Sequence, residues 1–197
     1  MKIMRIVMDP QILLLISFGI LLIGKVMFHQ DYLNCFGIIK SHIECFRGSN
    51  GKISRISLIL YFFVPFLISI SLIQVRCLDD GVVNLITVIV SILTSMFFTL
   101  LTLILDMRKR IKDDTKYNAG DAYLSTKLLK ETYYSIMFEI FISVLILIMC
   151  FIELFEKRYS FFSSLSIYYL VFVMLMNLFM ILKRIYNVIK RDLEVYE

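Results

Sequence analysis

Four stretches of the sequence, residues 56–75, 82–105, 133–152 and 161–182, are overwhelmingly apolar and contain not one lysine or arginine. An α-helix needs about 20 such residues to cross a hydrocarbon core of about 30 Å, and it satisfies its own backbone amides where no water can. The pattern predicts an all-α, polytopic transmembrane helix bundle. A fifth stretch, 12–28, is shorter and carries Lys25 near one end, where the amine can snorkel toward the headgroups. It is expected to cross as well, with an interfacial or re-entrant helix as the rival. Lys2 and Arg5 ahead of it mimic a signal peptide, but no small-residue cleavage site follows, so the segment is read as retained.

Composition agrees: 59% of the residues are hydrophobic and 19% are charged, and the mean hydropathy is +0.83. A soluble domain of 197 residues has no interior large enough for that much apolar surface. The chain is therefore expected to be a single transmembrane domain over 1–197, with no separate soluble catalytic unit. Few alanines, no tryptophan and abundant Ile, Leu, Lys and Phe point to AT-rich coding, common in bacteria and mobile genes. The four cysteines (Cys35, Cys45, Cys77, Cys150) lack the paired spacing of a disulfide scaffold, and no structural disulfide is expected.

Orientation follows from the cations, because short loops rich in Lys and Arg stay cytoplasmic. The loop 106–132 holds Arg108, Lys109, Arg110, Lys112, Lys116, Lys127 and Lys130; the loop 29–55 holds Lys40, Arg47, Lys52 and Arg55; the tail 183–197 holds Lys183, Arg184, Lys190 and Arg191. All three are placed inside, while the short acidic connections 76–81 and 153–160 face out. This makes the chain a multi-pass protein of the bacterial inner membrane with a cytoplasmic C-terminus. The second and third spans form one hairpin and the fourth and fifth another, in the same direction, with helical extensions expected past the bilayer in 106–112 and 183–191.

Within the spans, Glu139 is the most informative residue, since a carboxylate there is costly and faces a cavity, a partner or the bundle interior. Ser135, Glu139 and Ser143 share one helical face at i, i+4, i+8, which makes a polar seam that bonds a neighbouring helix or lines an ion path. Asn177 reads as interhelical glue or a selectivity element. Thr87, Ser91, Ser95, Thr99 and Thr102 form a hydroxyl stripe suited to helix association or to a pore lining. Pro65 is expected to kink its helix or shift its hydrogen bonding.

Cys35, His42 and Cys45 offer only a weak zinc pattern. Cys35, Phe36, Ile38, Ile39, Ile43 and Phe46 instead mark the apolar side of a short helix at the membrane surface, ended by Gly48-Ser49-Asn50-Gly51. No Gly-rich phosphate loop, Ser/His/Asp set, HExxH pair or CxxC occurs, so neither catalysis nor a metal or other cofactor is expected. Positive charge in the loops is required by orientation and by anionic lipid alone. Its interleaving with Asp113, Asp114, Asp121 and Glu131 suits a protein partner better than nucleic acid, and the docking candidates are Arg108, Lys109, Arg110, Lys112, Lys183, Arg184, Lys190 and Arg191.

Asn34-Cys35-Phe36, followed by Gly51-Lys52-Ile53-Ser54 ahead of the helix that holds Pro65, adds a likeness. With the layout of about 200 residues, four or more spans, a basic loop and a basic tail, the chain resembles the KwaA family, the membrane subunits of the bacterial Kiwa anti-phage defence system. The resemblance implies a homo-oligomeric inner-membrane sensor of phage-associated envelope disturbance, working with a cytosolic DNA-binding partner subunit. The alternatives are a pore-forming effector that depolarises infected cells and a small channel or transporter.

Overall fold

The computed structural model describes residues 35–47, 53–113, 119–155 and 159–196; the stretch 12–28 and the turn Gly48-Ser49-Asn50-Gly51 lie outside them. The chain divides at Gly37 into two units, and the account below concerns the second, from Ile38 onward. The described residues form five helices: α1 (Phe36–Glu44), α2 (Arg55–Val75), α3 (Asp80–Asp113), α4 (Ala119–Glu153) and α5 (Phe161–Tyr196). Four of them, α2 to α5, are long and apolar enough to cross a membrane, and the chain is an all-α, multi-pass membrane protein.

The connections explain where the helices begin and stop. Ser54 caps α2, its side chain accepting a hydrogen bond from the Ser57 amide. At the other end Arg76 turns to an extended conformation, and its amide closes on the Leu72 carbonyl at 2.8 Å. Asp79 then starts α3: its Oδ1 accepts from the Val82 amide at 2.8 Å, and its other oxygen holds the Arg76 guanidinium. The Val82 amide, followed by Arg76, keeps the Asp79 carboxyl below its ordinary range. Tyr159 bonds the Asp80 carboxylate, and the Tyr168 hydroxyl donates to the Arg76 carbonyl at 3.2 Å, which ties this acidic connection to α5.

Packing runs in the order α3, α4, α5, α2, with no other extensive interface between helices among the described residues. The α4–α5 hairpin is a packed pair as its sequence suggests. The α2–α3 hairpin is not, because its two helices lie against α5 and α4 respectively. Half of the most apolar window of α4 is buried, against 17% for α3, so α4 is the central helix and α3 is peripheral. Lipid tails are as apolar as leucine, so this assembly depends on close packing and interhelical hydrogen bonds rather than on escape from water. The core residues Phe97, Ile136, Ile146, Ile167 and Ile181 are fully enclosed, while Ile92, Phe98 and Phe179 point outward.

The helical extension expected after the third span is there, since α3 continues to Asp113, but the rest of 106–132 is less of a loop than expected, because α4 already begins at Ala119. Hydropathy measures what can sit in hydrocarbon, whereas these turns are helical because Ile111, Leu129 and Val188 carry the packed core past the apolar runs. At 36 residues, α5 is about 54 Å long, well beyond a hydrocarbon core of about 30 Å. α2 runs as one helix through Pro65, which is buried within it. Ser69 Oγ donates to the Pro65 carbonyl at 2.6 Å, so this stretch is bonded within its own helix. In α1 the buried residue is His42, while Phe36 is exposed.

Candidate functional site

A group of buried polar residues lies where α4 and α5 meet, toward the basic end of the bundle. On α4, Ser135, Glu139 and Ser143 are fully buried on one face, as their spacing predicts. Asn177 of α5 faces them, and its Nδ2 donates to Glu139 Oε2 at 2.5 Å and to the Ser135 carbonyl at 3.0 Å. Ser143 donates back to the Glu139 carbonyl at 2.8 Å. Glu139 Oε1 and Asn177 Oδ1 are buried with no protein partner among the described residues, an arrangement that hydrocarbon alone would penalise.

Arg184 extends the cluster by two turns of α5. It was grouped with the docking cations of the tail, but it is 8% exposed and turned inward. Its Nη1 donates to the Glu131 carbonyl at 2.7 Å and to Ser135 Oγ at 2.6 Å, and its Nη2 to the Cys45 carbonyl at 3.1 Å. The Glu131 carboxylate is 4.0 Å away and about a third exposed, so that ion pair adds little beside the hydrogen bonds. One guanidinium thus joins α4, α5 and the turn that follows α1. A planar fork with five donors can do this, whereas an ammonium cannot.

That turn belongs to a small hairpin. The chain leaves α1 through Cys45 and Phe46, pairs Arg47 with Ile53 and returns with the Ser54 amide on the Phe46 carbonyl at 3.0 Å. The Cys45 thiol donates to the Ser41 carbonyl at 3.3 Å and contacts the Glu131 carbonyl at 3.6 Å, and burial pushes its pKa up. His42 plugs the hairpin into the bundle. Its ring is fully buried and stacks on Phe138 with centroids 3.8 Å apart and planes 7° apart. Tyr61 and Phe46 flank it at 5.6 and 5.4 Å. Neither ring nitrogen has a partner among the described residues. Burial first, and the Arg184 charge second, lower its pKa to about 3, so the ring is neutral. Beside it, Ile39 and Ile43 of α1 line an apolar cleft of about 210 Å³ with Phe141 and Tyr169.

Glu139, Ser135, Asn177 and Arg184 therefore converge, and Ser143 adjoins them. The hydroxyl stripe lies elsewhere: Ser91, Ser95, Thr99 and Thr102 face outward on α3, and each, like Thr87, bonds the carbonyl four residues back in its own helix. Arg108, Lys109, Arg110, Lys112, Lys183 and Lys190 are exposed, and Arg191 is half-buried. His42 and Tyr61 were not foreseen as members of the site. A histidine set among apolar residues on a short helix was the available signal, but it was weighed as a metal ligand. Among the described residues no group of three His, Cys, Asp or Glu is placed to hold a metal ion. Comparison with protein-family models, curated proteins and solved structures gave no match.

Proposed function

We propose that the chain is a bacterial inner-membrane component of anti-phage defence, a non-catalytic sensor and scaffold of the kind that its layout resembles. Its basic end lies in the cytoplasm, following the distribution of Lys and Arg. The observation that carries the reading is the Arg184 junction, which ties the α1 hairpin, α4 and the extension of α5 into one unit where the spans end. A change in bilayer thickness or tension acts on the packing of the spans. Through this junction it shifts the balance between a seated and a released hairpin. The exposed cations of the α3 extension, Lys109, Arg110 and Lys112, then present a docking surface to a cytosolic partner, a DNA-binding subunit if the resemblance holds. The outward hydroxyl stripe of α3 supplies a face for self-association.

The test is charge reversal of Lys109, Arg110 and Lys112 to Glu. Pull-down of a cytosolic DNA-binding protein from the native cells should be abolished while the chain remains in the membrane fraction. Undiminished co-purification would remove the docking surface from the reading.

A second reading, a pore-forming effector or small channel, is favoured by the buried and unpartnered oxygens of Glu139 and Asn177. Ion flux through liposomes containing the purified chain separates the two. Flux that Glu139→Gln alters supports a conducting role, and its absence leaves the sensor.

A further inference from the structure

Between α3 and α4 a cleft of about 420 Å³ opens at the level where both apolar runs end. Its floor is apolar, built from Ile104, Leu105 and Leu129, while Arg108 and Lys130 stand at its rim with the hydroxyl of Thr126. The two helices are antiparallel neighbours. Arg108 lies three residues past the apolar run 82–105, and Lys130 three before the run 133–152, and both line the same cleft. Tyr133 and Tyr134 complete the lining, where tyrosines settle at the boundary between hydrocarbon and headgroups. The Lys130 ammonium sits 5.7 Å from the centroid of the Tyr134 ring. Neither Arg108 nor Lys130 has a carboxylate within ion-pair distance among the described residues, and none lines the cleft.

We infer that this cleft is a binding site for the headgroup of an anionic glycerophospholipid. The Arg108 fork and the Lys130 ammonium receive the phosphate, and Thr126, Tyr133 and Tyr134 offer hydroxyls to the glycerol and ester oxygens. The acyl chains run down the outward apolar face of α3 from Leu105, which is half exposed. The volume suits a headgroup with its glycerol and not a whole lipid. A zwitterionic lipid brings its own cation to a rim that already holds two, and is disfavoured. A second basic cleft near this end, between Lys127, Lys190 and Arg191, includes Glu131 in its lining and no tyrosine. The inference rests on the membrane reading of the chain and not on partner docking.

The full-length chain, purified in neutral detergent, is titrated with phosphatidylglycerol or with phosphatidylcholine of the same acyl chains, and bound lipid is counted by native mass spectrometry. Phosphatidylglycerol should bind about thirtyfold more tightly, the effect of two cations at their usual attraction for an anionic headgroup. The double variant Arg108→Gln/Lys130→Gln should lose most of that preference, and Lys127→Gln, which removes a charge from the other cleft, should keep it. Both rim residues are exposed, so the variants fold as the native chain does. Equal binding of the two lipids, or a preference unchanged in the double variant, overturns the inference. Displacement of the lipid by millimolar inorganic phosphate also overturns it, in favour of a soluble anion. No partner protein is present, so failure here is distinct from failure of the docking surface.

Discussion

The sharpest consequence of the interior is a pH-dependent seating of the α1 hairpin. His42 is enclosed and neutral, with its pKa lowered from an ordinary 6.5 to about 3 by burial and, secondarily, by the Arg184 charge. When the hairpin lifts, the ring meets water and regains its ordinary affinity for a proton. The seated state therefore binds fewer protons than the open one, and linkage favours opening as pH falls. Above pH 6.5 the effect vanishes; below it, opening gains about 1.4 kcal/mol per pH unit until the buried value near 3 is reached. At pH 5 this amounts to about 2 kcal/mol, or about thirtyfold in the opening equilibrium. Hydrogen exchange reads it directly, because the Ser54 amide is held by the Phe46 carbonyl across the hairpin. After correction for intrinsic chemistry, protection of the Ser54 amide should fall about thirtyfold between pH 7.5 and pH 5. His42→Phe keeps a ring on Phe138 and removes both unpartnered nitrogens, so its protection should not depend on pH over this range. The reasoning is refuted if native protection stays constant, or if the same fall persists in His42→Phe.

Other perturbations separate the roles of the buried polar groups. Glu139→Gln retains an acceptor for the Asn177 amide and should leave thermal stability in detergent nearly unchanged. Glu139→Leu deletes that acceptor, and because Asn177 still reaches the Ser135 carbonyl, the loss should be only about 1 kcal/mol. Arg184→Met takes the guanidinium donor from the Cys45 carbonyl and from Ser135 Oγ, while the Glu131 carbonyl keeps the Ser135 hydroxyl, and should cost about 1–3 kcal/mol by chemical denaturation. Arg184→Lys should restore at most part of this, since one ammonium cannot span all three acceptors. Cys77 is exposed at the acidic end; as the sole cysteine, with Cys35, Cys45 and Cys150 replaced by Ala, it should react with a membrane-impermeant maleimide added outside intact spheroplasts. Labelling only after lysis would invert the proposed orientation.

Much of the fold was legible because hydrocarbon is a severe solvent. A run such as 82–105, without a single cation, has few alternatives to a spanning helix, and the ends of the apolar runs of α2 and α5 are close to their helical boundaries at one side. Partnering was less legible. Chain order suggests that α2 packs on α3, but the acidic connection from Arg76 to Asp79 lets the two diverge and flank the α4–α5 pair. The start of α4 well ahead of its apolar run was hidden for a related reason. Lys127 and Lys130 look like loop residues by hydropathy, yet Leu129 between them is buried against neighbouring helices, and that burial decides the conformation.

The site divides along the same line. Ser135, Glu139 and Ser143 were recognisable as one face because helical periodicity is a local property, and Asn177 stood out because an amide in a span needs a partner. What periodicity could not supply was Arg184, since a cation just past an apolar run is ordinarily a solvated topological charge. It is inward because three acceptors from two distant segments converge on it, one of them the carbonyl of Cys45, 139 residues away. His42 is its counterpart: a residue expected at an aqueous surface that is instead seated on Phe138 beneath the hairpin. Hairpin and guanidinium depend on each other, for the Arg184 charge helps to keep His42 neutral while the docked hairpin presents the Cys45 carbonyl that Arg184 requires. Lifting the hairpin removes one of the three hydrogen bonds and readmits water to the rest, so the Arg184 junction and the His42 plug should open together.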